Sequence, residues 1–206
     1  MRTVAVLAFA LLIQASGLQA QDRRLYIGGS VSAVTQTHAD AERLGGTTWG
    51  WSGLVGVRVA PRLSIEFEPT FAGPYERAYS YRPGPSLLAD VVASRSHTFF
   101  STQARIRLPV IEPVVGASYV HARLHRVATF SNGRPYFEDT DSEHGVALVL
   151  GVDAAIRMAP HMHFVPTFRM FVSSTGEDAG FEKPIRFDTT TGAVSFRYGA
   201  GIRVSF

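Results

Sequence analysis

Hydrophobic and polar residues alternate with a period of two along most of this chain, and without a break over its last thirteen residues. Val194, Phe196, Tyr198, Ala200, Ile202, Val204 and Phe206 share one face, and Ser195, Arg197, Gly199, Gly201, Arg203 and Ser205 the other. Successive side chains of a strand point to opposite faces, so the pattern predicts a two-faced β-strand. An apolar side backed by a small or cationic one suits a barrel wall with lipid outside and a polar interior.

Seven further segments fit the same template. Arg24 to Ala33 groups Leu25, Ile27, Gly29 and Val31. Thr48 to Ala60 sets Trp49, Trp51, Val55, Val57 and Val59 against Gly50, Ser52, Gly56 and Arg58, with Leu54 out of phase. Leu63 to Phe71 opposes Leu63, Ile65, Phe67 and Phe71 to Ser64, Glu66, Glu68 and Thr70. Ser96 to Leu108 alternates Phe100, Thr102, Ala104, Ile106 and Leu108 with Ser101, Gln103, Arg105 and Arg107, and Val114 to Ala122 is a fifth strand of ambiguous facing. Gly145 to Met158 places Val146, Leu148, Leu150, Val152, Ala154 and Ile156 against Gly151, Asp153 and Arg157. In Met162 to Val172, Arg169 opposes Phe168 and Met170, and Pro166 lacks a ladder donor, which predicts a bulge or weakened pairing.

The connections alternate in length. Val34 to Thr47, Ala72 to Arg95, Arg123 to His144 and Ser173 to Gly192 are long; Ala60 to Arg62, Pro109 to Pro113 and Ala159 to His161 are short. An up-and-down barrel with an even number of strands puts all long loops at one end and both termini at the other, as outer-membrane barrels do.

Residues 1–20 begin with Arg2, continue through an apolar run from Thr3 to Ile13 and end in small and polar residues at Gly17, Leu18, Gln19 and Ala20. This reads as a secretory signal peptide cleaved after Ala20, leaving one domain over 21–206. The apolar run is too short for a spanning helix. The chain has no cysteine, which removes disulfides, thiol nucleophiles and thiolate metal sites. Its formal charge is +3, Lys183 is its one lysine, and its arginines are spread along strands at alternate positions rather than clustered, so nucleic acid is not an expected partner.

In these respects the chain resembles the eight-stranded outer-membrane β-barrel proteins: the OmpA transmembrane domain, OmpX and OmpW-like proteins. The resemblance covers Gln21 to Phe206. Its most specific piece is the C-terminal assembly signal, matched by Gly201, Val204 and Phe206, with Gly199 where a polar residue is usual. It implies an all-β, eight-stranded antiparallel transmembrane barrel in the outer membrane, monomeric, in contact with lipid, lipopolysaccharide and the assembly machinery. Since the sequence ends at Phe206, the peptidoglycan-binding domain that follows the OmpA barrel is not expected. Alternation alone leaves open a lipocalin-like barrel with an apolar interior.

Eight strands enclose a space that side chains just fill. Arg58, Glu66, Glu68, Arg105, Arg107, Asp153, Arg157, Arg169, Arg197 and Arg203 are therefore expected in a paired lumen network, the surplus arginines reaching water at the rims. The alternative is a narrow path for small hydrophobic or anionic solutes, as in OmpW-like barrels.

Lipid A deacylases and palmitoyltransferases use such barrels, but no histidine here is followed two residues later by serine, so no enzyme activity and no cofactor are expected. His97, His121, His125 and His144 lie near the loop end, within reach of a serine such as Ser96 or Ser131. His121 with His125, or His161 with His163, could pair on a metal, though no third ligand is evident. Glu138, Asp139, Asp141 and Glu143 form an acidic run without the glycine and spacing of a calcium loop. Tyr75, Arg77, Tyr79, Tyr81 and Arg82, and Arg123, Arg126, Phe130, Arg134, Tyr136 and Phe137, fall in long loops suited to recognition or to packing those loops together.

Overall fold

The computed structural model describes residues 25–37, 46–84, 87–173 and 194–206. The signal peptide with its cleavage site, most of the connection from Val34 to Thr47, and nearly all of that from Ser173 to Gly192 lie outside the described residues.

Nine strands follow in order: β1 Leu25–Thr37, β2 Gly46–Ala60, β3 Leu63–Gly84, β4 Leu87–Ile106, β5 Ile111–Phe130, β6 Pro135–Ala154, β7 Ile156–Ala159, β8 Met162–Ser173 and β9 Val194–Ser205. All pairings are antiparallel, and the sheet runs β6-β5-β4-β3-β2-β1-β9-β8 before β8 pairs back with β6. β7 continues the line of β6 beyond Ala155, so the ring has eight staves. The last strand closes on the first in continuous register, from Tyr26 opposite Ser205 to Thr37 opposite Val194. Closure leaves no sheet edge around the ring, as a strand structure in hydrocarbon requires.

The facing is settled by burial. Leu25, Ile27, Val31, Trp49, Trp51, Val55, Ile65, Phe67, Phe100, Leu148, Leu150, Phe168 and Ile202 are exposed on the outside, while Tyr26, Ser52, Glu66, Gln103, Arg105, Asp153, Arg169, Arg197 and Arg203 are buried within. An apolar skin over an interior that holds these charges excludes the lipocalin-like alternative, because water does not tolerate so large an apolar surface. On the outer wall the Trp51 and Phe71 rings stack at 4.4 Å, and Phe71 meets Phe100 edge-on at 6.5 Å. Such aromatics match the girdle at a membrane interface. Leu54, out of phase by hydropathy, keeps the inward direction of its neighbours and lines a small lumen cavity. β5 resolves its ambiguity with Glu112, Val114, Ser118, Val120 and Ala122 inward.

Two of the expected long loops are strands instead. β3 has 22 residues and β4, β5 and β6 have 20 each, against 13, 15, 12 and 12 in β1, β2, β8 and β9. A tilted strand crosses hydrocarbon in about 9–11 residues. The β3–β4 and β5–β6 hairpins therefore project well beyond the wall, at the end opposite the short turns. Arg123 to His144 contains a hairpin cue in Asn132-Gly133, where Gly133 takes φ +79°, a conformation that favours glycine, and Asn132 Oδ1 accepts from the Arg134 amide at 3.0 Å.

Pro166 keeps its register opposite Ala200 on β9. On its other side the ladder passes from Asp153–Thr167 to Ile156–Phe164 with no pair at Ala154 or Ala155, so pairing weakens there without a bulge. The missing amide donor accounts for the interruption between β6 and β7.

Candidate functional site

The lumen is the concave feature that all eight staves build. Strands β3, β4, β5, β6, β8 and β9 each send a charged residue into its lower half, on the short-turn side. Arg105 on β4 is the hub. Its Nε and Nη2 donate to the two oxygens of Glu66 on β3, the latter at 2.8 Å, and Nη1 donates to Glu112 at 2.9 Å and to Asp153. Arg169 on β8 forks onto Asp153, with Nη2 to Oδ2 at 3.0 Å, and its Nε lies 3.9 Å from Glu68. Arg197 on β9 donates to Glu68 at 2.6 Å and to the Thr70 hydroxyl at 2.5 Å, and Arg203 donates to Glu112 at 2.7 Å.

Neutral groups complete the set. Gln103 donates to Glu66 at 3.2 Å and to Glu68 at 2.9 Å, Ser52 donates to Glu68 at 2.9 Å, and the Tyr26 hydroxyl donates to Glu66. Gly56 makes the last contact possible, since a Cβ there would lie 2.3 Å from the Tyr26 ring. Four carboxylates thus face four guanidiniums, all nearly fully buried and each paired, the condition under which buried charges persist.

Of the ten residues expected in the lumen network, Glu66, Glu68, Arg105, Asp153, Arg169, Arg197 and Arg203 are brought together. Arg58 and Arg107 point inward near the short-turn end, where Arg107 lies over the Tyr26 ring at 5.1 Å and Arg203 at 5.5 Å. Among the described residues neither has a carboxylate within ion-pair range, and Arg157 stands exposed on β7, beyond the break at Ala155. Glu112 joins the network from outside the ten, because the sequence of Pro109 to Pro113 reads as a turn whereas β5 begins at Ile111. Its signal is the alternation of Glu112 and Val114 with Ile111 and Val115. Gly201 pairs with Ser30 and Val204 with Ile27, while Phe206 donates its amide to the Leu25 carbonyl at 2.9 Å and leaves its side chain exposed.

The upper half differs from the expected polar lumen. Val34, Ala72, Phe99, Val120, Ala147, Val149 and Phe171 form an apolar cluster, with the Phe99 and Phe171 rings 4.5 Å apart. His97 stacks on Phe99 at 6.0 Å beneath Tyr75, whose hydroxyl donates to the Val34 carbonyl at 3.0 Å. Within the ionic layer is a cavity of about 30 Å³, lined among others by Ser30, Leu54, Glu68, Arg105 and Arg169. That is room for a water or two, not for a solute.

Outside the lumen the sequence candidates separate. His125 takes Thr140 at 3.1 Å, and His121 takes His144 at 3.2 Å, instead of a serine or each other. In the acidic run, Asp139 and Asp141 both accept from Arg126 and Glu143 accepts from Arg95, so these are cross-strand ion pairs on the projection. Among the described residues no three His, Cys, Asp or Glu side chains converge.

No protein-family model matches the chain, and no curated protein does. Solved structures do. Ail, the attachment invasion locus protein of Yersinia pestis, aligns at a TM-score of 0.55 and 10% identity over 89% of this chain and 99% of Ail. Its complex with the heparin analogue sucrose octasulfate aligns at 0.53 and 10% identity, over 87% and 97%. The outer membrane protein OprG of Pseudomonas aeruginosa aligns at 0.46 and 13% identity, over 88% and 95%. The chain has the fold of the eight-stranded outer-membrane β-barrels.

Proposed function

We propose that this chain is a monomeric outer-membrane barrel, exported and inserted through the assembly machinery with Gly201, Val204 and Phe206 as its signal, whose role is structural and interactive. It lies among outer-membrane lipid and lipopolysaccharide, performs no catalysis, and presents the β3–β6 projection at the cell surface. The observation that supports this most directly is the filled lumen beneath a projecting half-barrel: an ionic layer that holds a cavity of only about 30 Å³, then an apolar layer. A path for solutes needs a continuous gap, and a surface-binding role needs only a rigid base under an exposed sheet.

The test is purified barrel in planar bilayers. Silence across salts is the expected result. Steady unitary currents abolished by Arg105→Glu would replace this reading with passage of small hydrophobic or anionic solutes.

A further inference from the structure

His121 on β5 and His144 on β6 are direct cross-strand partners on the outer wall, and Tyr119 stands two residues before His121 on the same face. The two Nδ1 atoms are 3.2 Å apart, and the Tyr119 hydroxyl is 2.5 Å from Nδ1 of His144. The rings are also in contact, His121 tilted by 44° against His144 with centroids 4.7 Å apart and Tyr119 stacked on His144 at 5.8 Å.

One imidazole nitrogen offers either one in-plane lone pair or one N–H. Nδ1 of His144 faces two partners at once, so each choice of tautomers leaves one of the contacts without a proton to share. If the tyrosine donates, the His121 nitrogen competes for the same lone pair. If His144 donates to the phenol, the lone pair of His121 goes unused. A cation in place of the shared proton satisfies all three atoms together.

The spacing of the two nitrogens agrees with that replacement, while the phenol oxygen, 2.5 Å from Nδ1 of His144, stands closer than two ligands of one tetrahedral ion do and moves outward on binding. Two nitrogens each 2.0–2.1 Å from a tetrahedral zinc ion lie about 3.3–3.4 Å apart, close to the 3.2 Å found. We propose that His121, His144 and Tyr119 form a surface site for a divalent transition-metal ion, with both Nδ1 atoms and the phenolate oxygen as ligands and solvent completing the shell. Imidazole donors select zinc, copper or nickel, whereas calcium and magnesium prefer all-oxygen shells. Tyr119 pairs with Phe100 across β4 and β5, and the histidines lie one outward-facing step beyond it toward the projection, where an ion arriving from water can reach them.

The full barrel, refolded in detergent, is titrated with Cu²⁺ and followed by electron paramagnetic resonance, and with Zn²⁺ against a chromophoric chelator. About one equivalent should bind, with hyperfine coupling to two nitrogens. His121→Ala or His144→Ala should each weaken binding by about tenfold or more, since even outer-shell partners of a metal change affinity that much. Tyr119→Phe should keep the nitrogen coupling and lose the phenolate-to-copper absorption band. His125→Ala and the double variant His161→Ala/His163→Ala should bind as the parent does. Absence of stoichiometric binding, or binding unchanged by both His121→Ala and His144→Ala in barrels that retain heat-modifiable mobility, would overturn the site.

Discussion

In the lower half of the lumen four arginines meet four carboxylates; in the upper half the same ring of strands encloses Val34, Phe99, Val120, Val149, Phe171 and two alanines. Both layers fill the space, but by opposite rules. Apolar packing scales with area and has no direction, so its members are partly interchangeable. The ionic layer is directional, and each group is tolerable only while its partners are in place. It also reaches across the ring: β9 is tied to β3 through Arg197–Glu68 and to β5 through Arg203–Glu112. The lower layer therefore specifies which strands face one another, and the upper layer supplies bulk that seals them.

Arg105→Met breaks the comparison most sharply. It keeps much of the volume yet leaves Glu66, Glu112 and Asp153 without their common partner. The expected loss is about 3–5 kcal/mol, the range for orphaning a buried charge, measured by urea unfolding in lipid vesicles. Phe171→Ala removes more atoms but orphans nothing, and should cost about 3 kcal/mol, the lower end for a buried phenylalanine. If Phe171→Ala proved the costlier of the two, the ionic layer would be filler and not a specifying element.

The two layers were not equally legible in the sequence. Seven of the charged lumen residues fall on alternating strands whose opposite faces are apolar, so period two alone placed them. Which acid meets which arginine depends on strand tilt and barrel closure, which period two does not encode. The apolar layer escaped because Val34, Phe99 and Val120 interrupt the polar face near strand ends, where a hydrophobic residue reads as an edge of the pattern. The projecting hairpins escaped for a different reason: Arg123 to His144 is rich in charge, and charge suggests a loop. Cross-strand pairs such as Arg126–Asp139 turn that same composition into a strand.

That projection provides the mildest test, an ion pair outside the lumen to set against those within. The Asp139 carboxyl is held below its ordinary value first by the hydrogen bonds donated by Arg126, at 2.9 and 2.6 Å, and further by the charge of that guanidinium. A carboxyl whose folded value is depressed stabilises above its unfolded value and loses that contribution as pH falls through the folded one. Amide protection of the β5–β6 hairpin should therefore hold at neutral pH and begin to decline as pH drops below the ordinary aspartate value of ~3.9. Both Asp139 and Arg126 are substantially solvated, so Asp139→Asn should speed hairpin exchange by less than about tenfold, as for exposed ion pairs. Global unfolding should not change, in contrast to Arg105→Met. A global effect from Asp139→Asn would show that the projection folds as one unit with the lumen layers, and the distinction between interior and surface pairs would collapse.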